Sequence, residues 1–297
     1  MLIYVYCITN KEPNLNGSKE LVNGLYFISE QGLYAVISGE KEEEYDQENL
    51  EKNLSNLAWI KQKAALHERV IEQIMEQAGV IPFKFGTLFN NEQNLKTMLI
   101  EHGEEFKSDL DRLADKEEWG IKVYCDKEKL KQNLKVQNVP IYRDPATTII
   151  NNGSGKEIKK YDDEINASSP GKAFILKKKR EELLNVVLSK TLNIYVQDSF
   201  NQLCQHCQEG RLNRLLPRED TGRQEDMILN AAFLVAKDKI AQFNQEVDRL
   251  NTDGQEKGIS FDLSGPWPPY NFCLPVRPCL PAGRQAGQSV GKTRQNE

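Results

Sequence analysis

The order of the periodic patterns between Trp119 and Leu263 limits this chain more than any other feature. WGIKVYC (119–125) alternates like a strand, and Ala173, Leu176, Leu183, Val187 and Ile194 form a helical stripe within about 171–207. Residues 212–217 and 227–236 then read as strands. Ile240, Phe243, Val247 and Leu250 make a second helical stripe, and 259–263 a last strand. Apolar residues every three or four positions mark a helix buried on one side, whereas alternation marks a half-buried strand. Strand, helix, strand, strand, helix, strand is the split βαβ order of a ferredoxin-like domain. The expected class is therefore α+β, with a four-stranded antiparallel sheet and two helices on one of its faces.

The N-terminal part has its own set of patterns. Residues 2–8 are β-branched and aromatic, and LYFIS and LYAVIS flank Glu30-Gln31-Gly32 as a hairpin would. Leu50, Leu54, Leu57, Ile60, Ala64, His67, Ile71, Ile74 and Ala78 recur at helical spacing until Gly79 stops them. In VIPFKFGTLF, alternation puts Ile81, Phe83 and Phe85 on one face, and Pro82 argues for an edge strand or a strand start. A second helix is expected over about 92–114. Two domains follow: residues 1–116 as a mixed α/β unit and 117–272 as the ferredoxin-like one. The Asn-, Gly- and Ser-rich stretch at about 138–169 reads as a mobile insertion. Residues 273–297 lack periodicity and read as a disordered tail.

Composition excludes several function classes. The formal net charge of -5 gives no general attraction to nucleic acid or anionic lipid. Mean hydropathy is -0.61, and no apolar run reaches the roughly 20 residues of a membrane span. MLIYVYCITN has no basic stretch ahead of its apolar run, so it reads as a strand and not a signal peptide, which predicts a cytoplasmic chain. The cysteines, at 7, 125, 204, 207, 273 and 279, are then expected to be thiols.

No motif closes into a catalytic, cofactor or metal site. His67 lies on the apolar stripe of its helix while Glu68 and Arg69 point elsewhere, so they are a poor acid–base pair and His67 reads as a hydrogen-bonded core residue. Cys204 and Cys207 have CxxC spacing around His206, but zinc needs about four ligands and no second pair lies in an ordered context. NNGSGK (151–156) lacks the GxxxxGK[ST] pattern and reads as a flexible loop. The expectation is no enzyme. The alternative is a small-ligand or metal-dependent enzyme using His67 with Glu68, or Cys204 with Cys207.

GPWPPYNF (265–272) gathers three prolines and three aromatics, which cannot form a helix interior or a central strand. Two roles stay open for it: a clasp that seals the second domain, and a docking surface of rigid side chains. Trp267 is expected to be buried against the second domain, and Tyr270 to be more exposed and nearer a partner. Trp267, Pro268, Pro269, Tyr270 and Phe272 are the candidate contacts.

LIYVYCI, LYAVIS, the HERVIE helix, VIPFKFGTLF, WGIKVY, SPGKAFILKKKREEL and the terminal LSGPWPPYNF, in that order, resemble the gas vesicle GvpL/GvpF family. The likeness covers about residues 1–272, with Lys84 where relatives often carry arginine. It implies an accessory or minor structural protein of gas vesicle assembly with no catalytic role. It also implies binding to the small hydrophobic shell protein GvpA and possibly to other accessory proteins of the vesicle, with no nucleic acid or membrane partner.

Overall fold

A computed structural model describes residues 1–42, 49, 52, 53, 55–136 and 151–273. The charged stretch at 43–46, Leu50 and Leu54 of the predicted stripe, residues 138–150 of the insertion and the tail beyond Cys273 lie outside these. The chain divides into two compact units. One holds residues 1–114 together with the chain from Pro268 onward, and the other residues 115–267.

The first unit is built on a sheet whose central strand is β1 (Leu2–Thr9). On one side β1 pairs antiparallel with β3 (Leu33–Glu40), which pairs in turn with β2 (Leu25–Glu30) through the predicted hairpin. On the other side β1 pairs with β4 (Val80–Pro82) and β5 (Leu88–Phe89). β4 lies at the margin, so the missing N–H of Pro82 breaks no ladder.

Both faces of this sheet are covered. Ile3 and Val5 join a cluster with Phe89, Leu95, Leu99, Phe106 and Leu110, while Tyr4 and Tyr6 join one with Val70, Ile71 and Ile74. A register shift between Val5 and Cys7 inserts one extra residue, after which Cys7 continues on the tyrosine side. Phe83 packs with Ile81 on one side, but Phe85 packs on the other, so the alternation expected through 81–85 fails there.

A short helix, α1 (Asn16–Leu21), precedes the hairpin. Helix α2 (Leu57–Met75) supplies the buried His67, Val70, Ile71 and Ile74. It starts at Leu57 because the Asn56 side chain accepts from the Ala58 and Trp59 amides at 3.1 and 3.2 Å, satisfying two N–H groups that a helix start leaves without partners. The single helix expected over 92–114 is two, α3 (Glu92–Glu101) and α4 (Gly103–Leu113), with His102 non-helical between them. The glycine at the break is buried, and a Cβ there would lie 3.1 Å from Gln31 Oε1.

In the second unit β6 (Lys116–Cys125) is central. It pairs antiparallel with β8 (Asp226–Ala236) on one side and β9 (Ile259–Trp267) on the other, and β8 pairs with β7 (Glu209–Leu212). The sheet order is β7-β8-β6-β9. Ile121, Val123 and Cys125 alternate onto one core with Leu229, Ala231, Phe233 and Val235, as period-two patterning requires.

Helices α5 (Lys127–Val136), α7 (Pro170–Cys204) and α9 (Ile240–Gln255) contribute Leu130, then Leu188, Leu192 and Tyr195, then Phe243, Val247 and Leu250 to that core. The strand expected at 212–217 lies earlier, at 209–212. Gly210 lets the chain turn straight out of α7, since a Cβ there would be 2.9 Å from Cys204 Sγ. Pro217 instead precedes the one-turn helix α8 (Arg218–Thr221).

The expected mobile insertion is also corrected. Residues 151–166, NNGSGK included, form helix α6 (Asn151–Asn166) against α7. Ile158 and Leu176 are buried on this pair of helices, and Arg180 forms an ion pair with Asp162. Apolar contact and a charge pair outweigh the weak helix propensity of Asn, Gly and Ser.

Candidate functional site

The five candidate contacts split between the two units. Trp267 ends β9 opposite Glu118, is 41% exposed, and donates through its indole N–H to Ser264 Oγ at 3.0 Å. Two residues earlier Gly265 has φ +133, and a Cβ on it would meet the Glu118 carbonyl oxygen at 3.0 Å, so this bend needs glycine. From Pro268 the chain belongs to the first unit. Pro268 and Pro269 are buried, and Phe272 is fully buried. The amides of Phe272 and Cys273 both reach back to the Pro269 carbonyl, at 3.0 and 3.2 Å, and Arg112 donates to the Phe272 carbonyl.

Tyr270 packs its ring on the tyrosine-side cluster and donates its hydroxyl to Glu68 Oε1 at 2.9 Å. The expected roles of the two aromatics are therefore reversed. The residue nearest the strand is the accessible one, because its indole needs only Ser264 and lies at the end of the ladder. The residue beyond the prolines is held, because the turn at Pro269 folds it inward. The segment closes the first unit, where the sequence reading gave it to the second.

The residues of the enzymatic alternative do not converge. His67 is 1% exposed. Its Nε2 lies 2.9 Å from the Phe83 carbonyl and its Nδ1 2.9 Å from the Tyr4 hydroxyl. A carbonyl only accepts, so the ring proton is on Nε2, Nδ1 accepts, and Tyr4 donates. Tyr4 in turn accepts from the Gly86 amide at 3.1 Å. Burial lowers the pKa of His67 to about 4, partly opposed by the Phe83 bond, and raises that of Tyr4. Every proton in this chain is committed to holding the 83–87 loop on β1 and α2. Glu68, next on the helix, points instead to Tyr270.

Cys204 and Cys207 sit at the end of α7, half-buried against the core of the second unit. Cys207 donates weakly to the Cys204 carbonyl, with Sγ 3.7 Å from the oxygen. Burial pushes the Cys207 thiol up to about 12 and also raises Cys204, the opposite of what a thiolate ligand or nucleophile needs. Among the described residues, no three His, Cys, Asp or Glu side chains are grouped to hold a metal ion. No helix among them is long and apolar enough to cross a membrane.

The family model of the gas vesicle synthesis protein GvpL/GvpF matches residues 2–274. The chain belongs to the GvpL/GvpF family. Among its relatives, gas vesicle protein L of Streptomyces sp. (strain CB03234) is 24% identical over 240 residues, covering 81% of this chain and 79% of that one. Gas vesicle protein L1 of Halobacterium salinarum is 21% identical over 278 residues, covering 91% and 89%. The crystal structure of GvpF from Anabaena sp. PCC7120 shares the fold with a TM-score of 0.64 at 18% identity, over 93% of this chain and 99% of that one. GvpF from Microcystis aeruginosa gives a TM-score of 0.57, also at 18% identity, over 91% and 98%. The mixed helix-and-sheet class with two antiparallel sheets holds, and membership of the GvpL/GvpF family ties the chain to gas vesicle assembly.

What sequence reasoning missed is the partnership of Tyr270 with Glu68 and of Phe272 with Arg112. The signal available was the gap of stiff residues between a strand end and the tail, which reports rigidity but not the surface it rests on.

Proposed function

We propose that this GvpL/GvpF protein is a non-catalytic assembly factor that holds the small hydrophobic shell protein GvpA in soluble form in the cytoplasm and delivers it to growing gas vesicles. The observation that carries this reading is the form of the second unit's sheet. Its two outermost strands, β7 and β9, each carry an exposed large apolar side chain, Leu212 at 65% and Trp267 at 41% exposure. A strand edge with apolar side chains beside it is the surface on which an extended, aggregation-prone segment can be paired and shielded. In the same reading the second unit is a ferredoxin-like module, supported by its antiparallel sheet of order β7-β8-β6-β9. Trp267 is then the contact among the five candidates, while Pro268, Pro269, Tyr270 and Phe272 act by fixing the chain that leaves β9.

The test is co-purification of GvpA with the full-length chain, together with light scattering of GvpA alone and with the chain. A soluble complex that weakens in Trp267→Ala and in Leu212→Asp, with both variants folded, is the expected result. GvpA that scatters equally with and without the wild-type chain would end the proposal.

A further inference from the structure

A cavity of about 240 Å³ opens in the first unit beside the buried His67. Tyr4, Tyr6, His67 and Phe85 line it, with the polar side chains of Asn23, Glu40 and Lys63. The rings are neighbours: Tyr4 and Tyr6 centroids lie 4.8 Å apart, Tyr6 and His67 5.5 Å, and His67 and Phe85 6.0 Å. The volume is below the roughly 300–1,000 Å³ of pockets for drug-sized ligands, so its occupant is small.

The proton arrangement defines what such an occupant must offer. His67 gives its one proton to the Phe83 carbonyl, and Tyr4 gives its own to His67 Nδ1. Ser38 Oγ donates to Glu40 Oε1 at 3.0 Å, so the 3.2 Å bond between Ser38 and Tyr6 must take its proton from Tyr6. The four rings and the Ser38 hydroxyl therefore have no proton left to give. They present lone pairs, π faces and the end of a relay that runs from Tyr6 through Ser38 to the Glu40 carboxylate. Lys63, the one cationic neighbour, carries its ammonium 5.7 Å from the centroid of the Trp59 ring. Asn23 and Lys63 are the two side-chain donors of the lining, and the acceptors, electron-rich rings and Glu40 carboxylate beside them attract a cation.

We propose that this cavity is a binding site for a small organic ammonium ion, alkyl- or methyl-substituted, held against the tyrosine rings with its charge toward Glu40. The site is independent of the shell-protein reading, because it uses none of the residues of β7 or β9.

Choline and n-propylammonium are suitable probes, titrated into the full-length chain while the ring resonances of Tyr4, Tyr6 and His67 are followed by NMR. Controls are propionate and the neutral carbon isostere of choline, in which a tert-butyl group replaces trimethylammonium. Saturable shifts of these rings with an ammonium probe are expected, with the isostere at least about tenfold weaker, the scale of one desolvated cation–π contact. Glu40→Gln should weaken the ammonium by a similar factor and leave the His67 ring signals of the free protein in place. If that variant does not fold, the comparison of choline with its isostere on the wild-type chain decides alone. Equal affinity for the isostere or for propionate, undiminished affinity in a folded Glu40→Gln variant, or no saturable shift with either ammonium would overturn the proposal.

Discussion

The Tyr270 hydroxyl donates to Glu68 Oε1 at 2.9 Å, across 202 positions of sequence. The other carboxylate oxygen, Oε2, is buried and has no hydrogen-bond partner among the described residues. Burial raises the Glu68 carboxyl above its ordinary value, and the Tyr270 bond pulls it part of the way back. Burial and the facing carboxylate raise the Tyr270 phenol in turn, so its proton stays on and keeps donating.

Tyr270→Phe keeps the ring and removes that donor. Near neutral pH it should cost about 1.5–3 kcal/mol, the range for losing a hydrogen bond to a charged group. Glu68 should then titrate still higher, read by carbon NMR of its carboxyl. Folded Glu68 holds a proton more tightly than the ordinary 4.5 allows. The folded state thus binds more protons just above that pH, and stability falls as pH rises through the window. Glu68→Gln should abolish this slope. An unmoved Glu68 titration in Tyr270→Phe would show that the hydrogen bond carries no weight.

His67, one residue earlier, has the opposite sign. Its pKa drops from 6.5 to about 4 on folding. Between these values the unfolded chain binds more protons, so stability is complete above about 6.5 and declines as pH falls. The loss below about 4 is on the order of 3 kcal/mol. Denaturant melts from pH 7 to 4 should show this decline, and His67→Gln should flatten it. His67→Ala adds a cavity and orphans both Phe83 O and Tyr4, so about 2–5 kcal/mol should be lost even at pH 7. A variant as stable as wild type would remove His67 from the structural account.

Much of the fold was legible because local pattern and burial agree. The stripe through His67, Ile71 and Ile74 and the alternation of Ile121, Val123 and Cys125 each place a face inward before any partner is known. Legibility fails where a distant surface decides. NNGSGK has loop composition, yet α7 offers its helix a place to pack, and no local rule contains that. At the His102 break, Gly103 lies where a Cβ would come within 3.1 Å of Gln31 Oε1, a neighbour that no local pattern announces. GPWPPYNF shows that it is stiff, but which unit receives each aromatic is set by the turn at Pro269 and by Glu68 and Arg112.

Alanine substitution at the two ends of that segment should therefore give unequal costs. Phe272 is fully buried, and Phe272→Ala should lose about 3–5 kcal/mol. Trp267 is 41% exposed, and Trp267→Ala should lose about 1 kcal/mol or less, mainly from lost contact area and the Ser264 bond. Calorimetry on both variants tests the order. A larger loss for Trp267 than for Phe272 would restore the roles expected from sequence.

Truncation after Trp267 tests the segment as a whole. The cut removes Tyr270 and Phe272, which pack on the unit of residues 1–114, although every residue deleted follows the second unit in sequence. If the segment only trailed from β9, the second unit would feel its loss. Because Phe272 and Tyr270 are buried or bonded in the first unit, that unit should lose stability, by more than the roughly 3–5 kcal/mol expected for Phe272 alone. Hydrogen exchange should locate the change, with faster exchange in β1 and α2 and unchanged protection in β6 and β8. A second cut after Cys273 keeps every described residue and should leave exchange in both units as in the full chain. Faster exchange confined to β6 and β8 in the shorter chain would mean that the clasp belongs to the second unit after all.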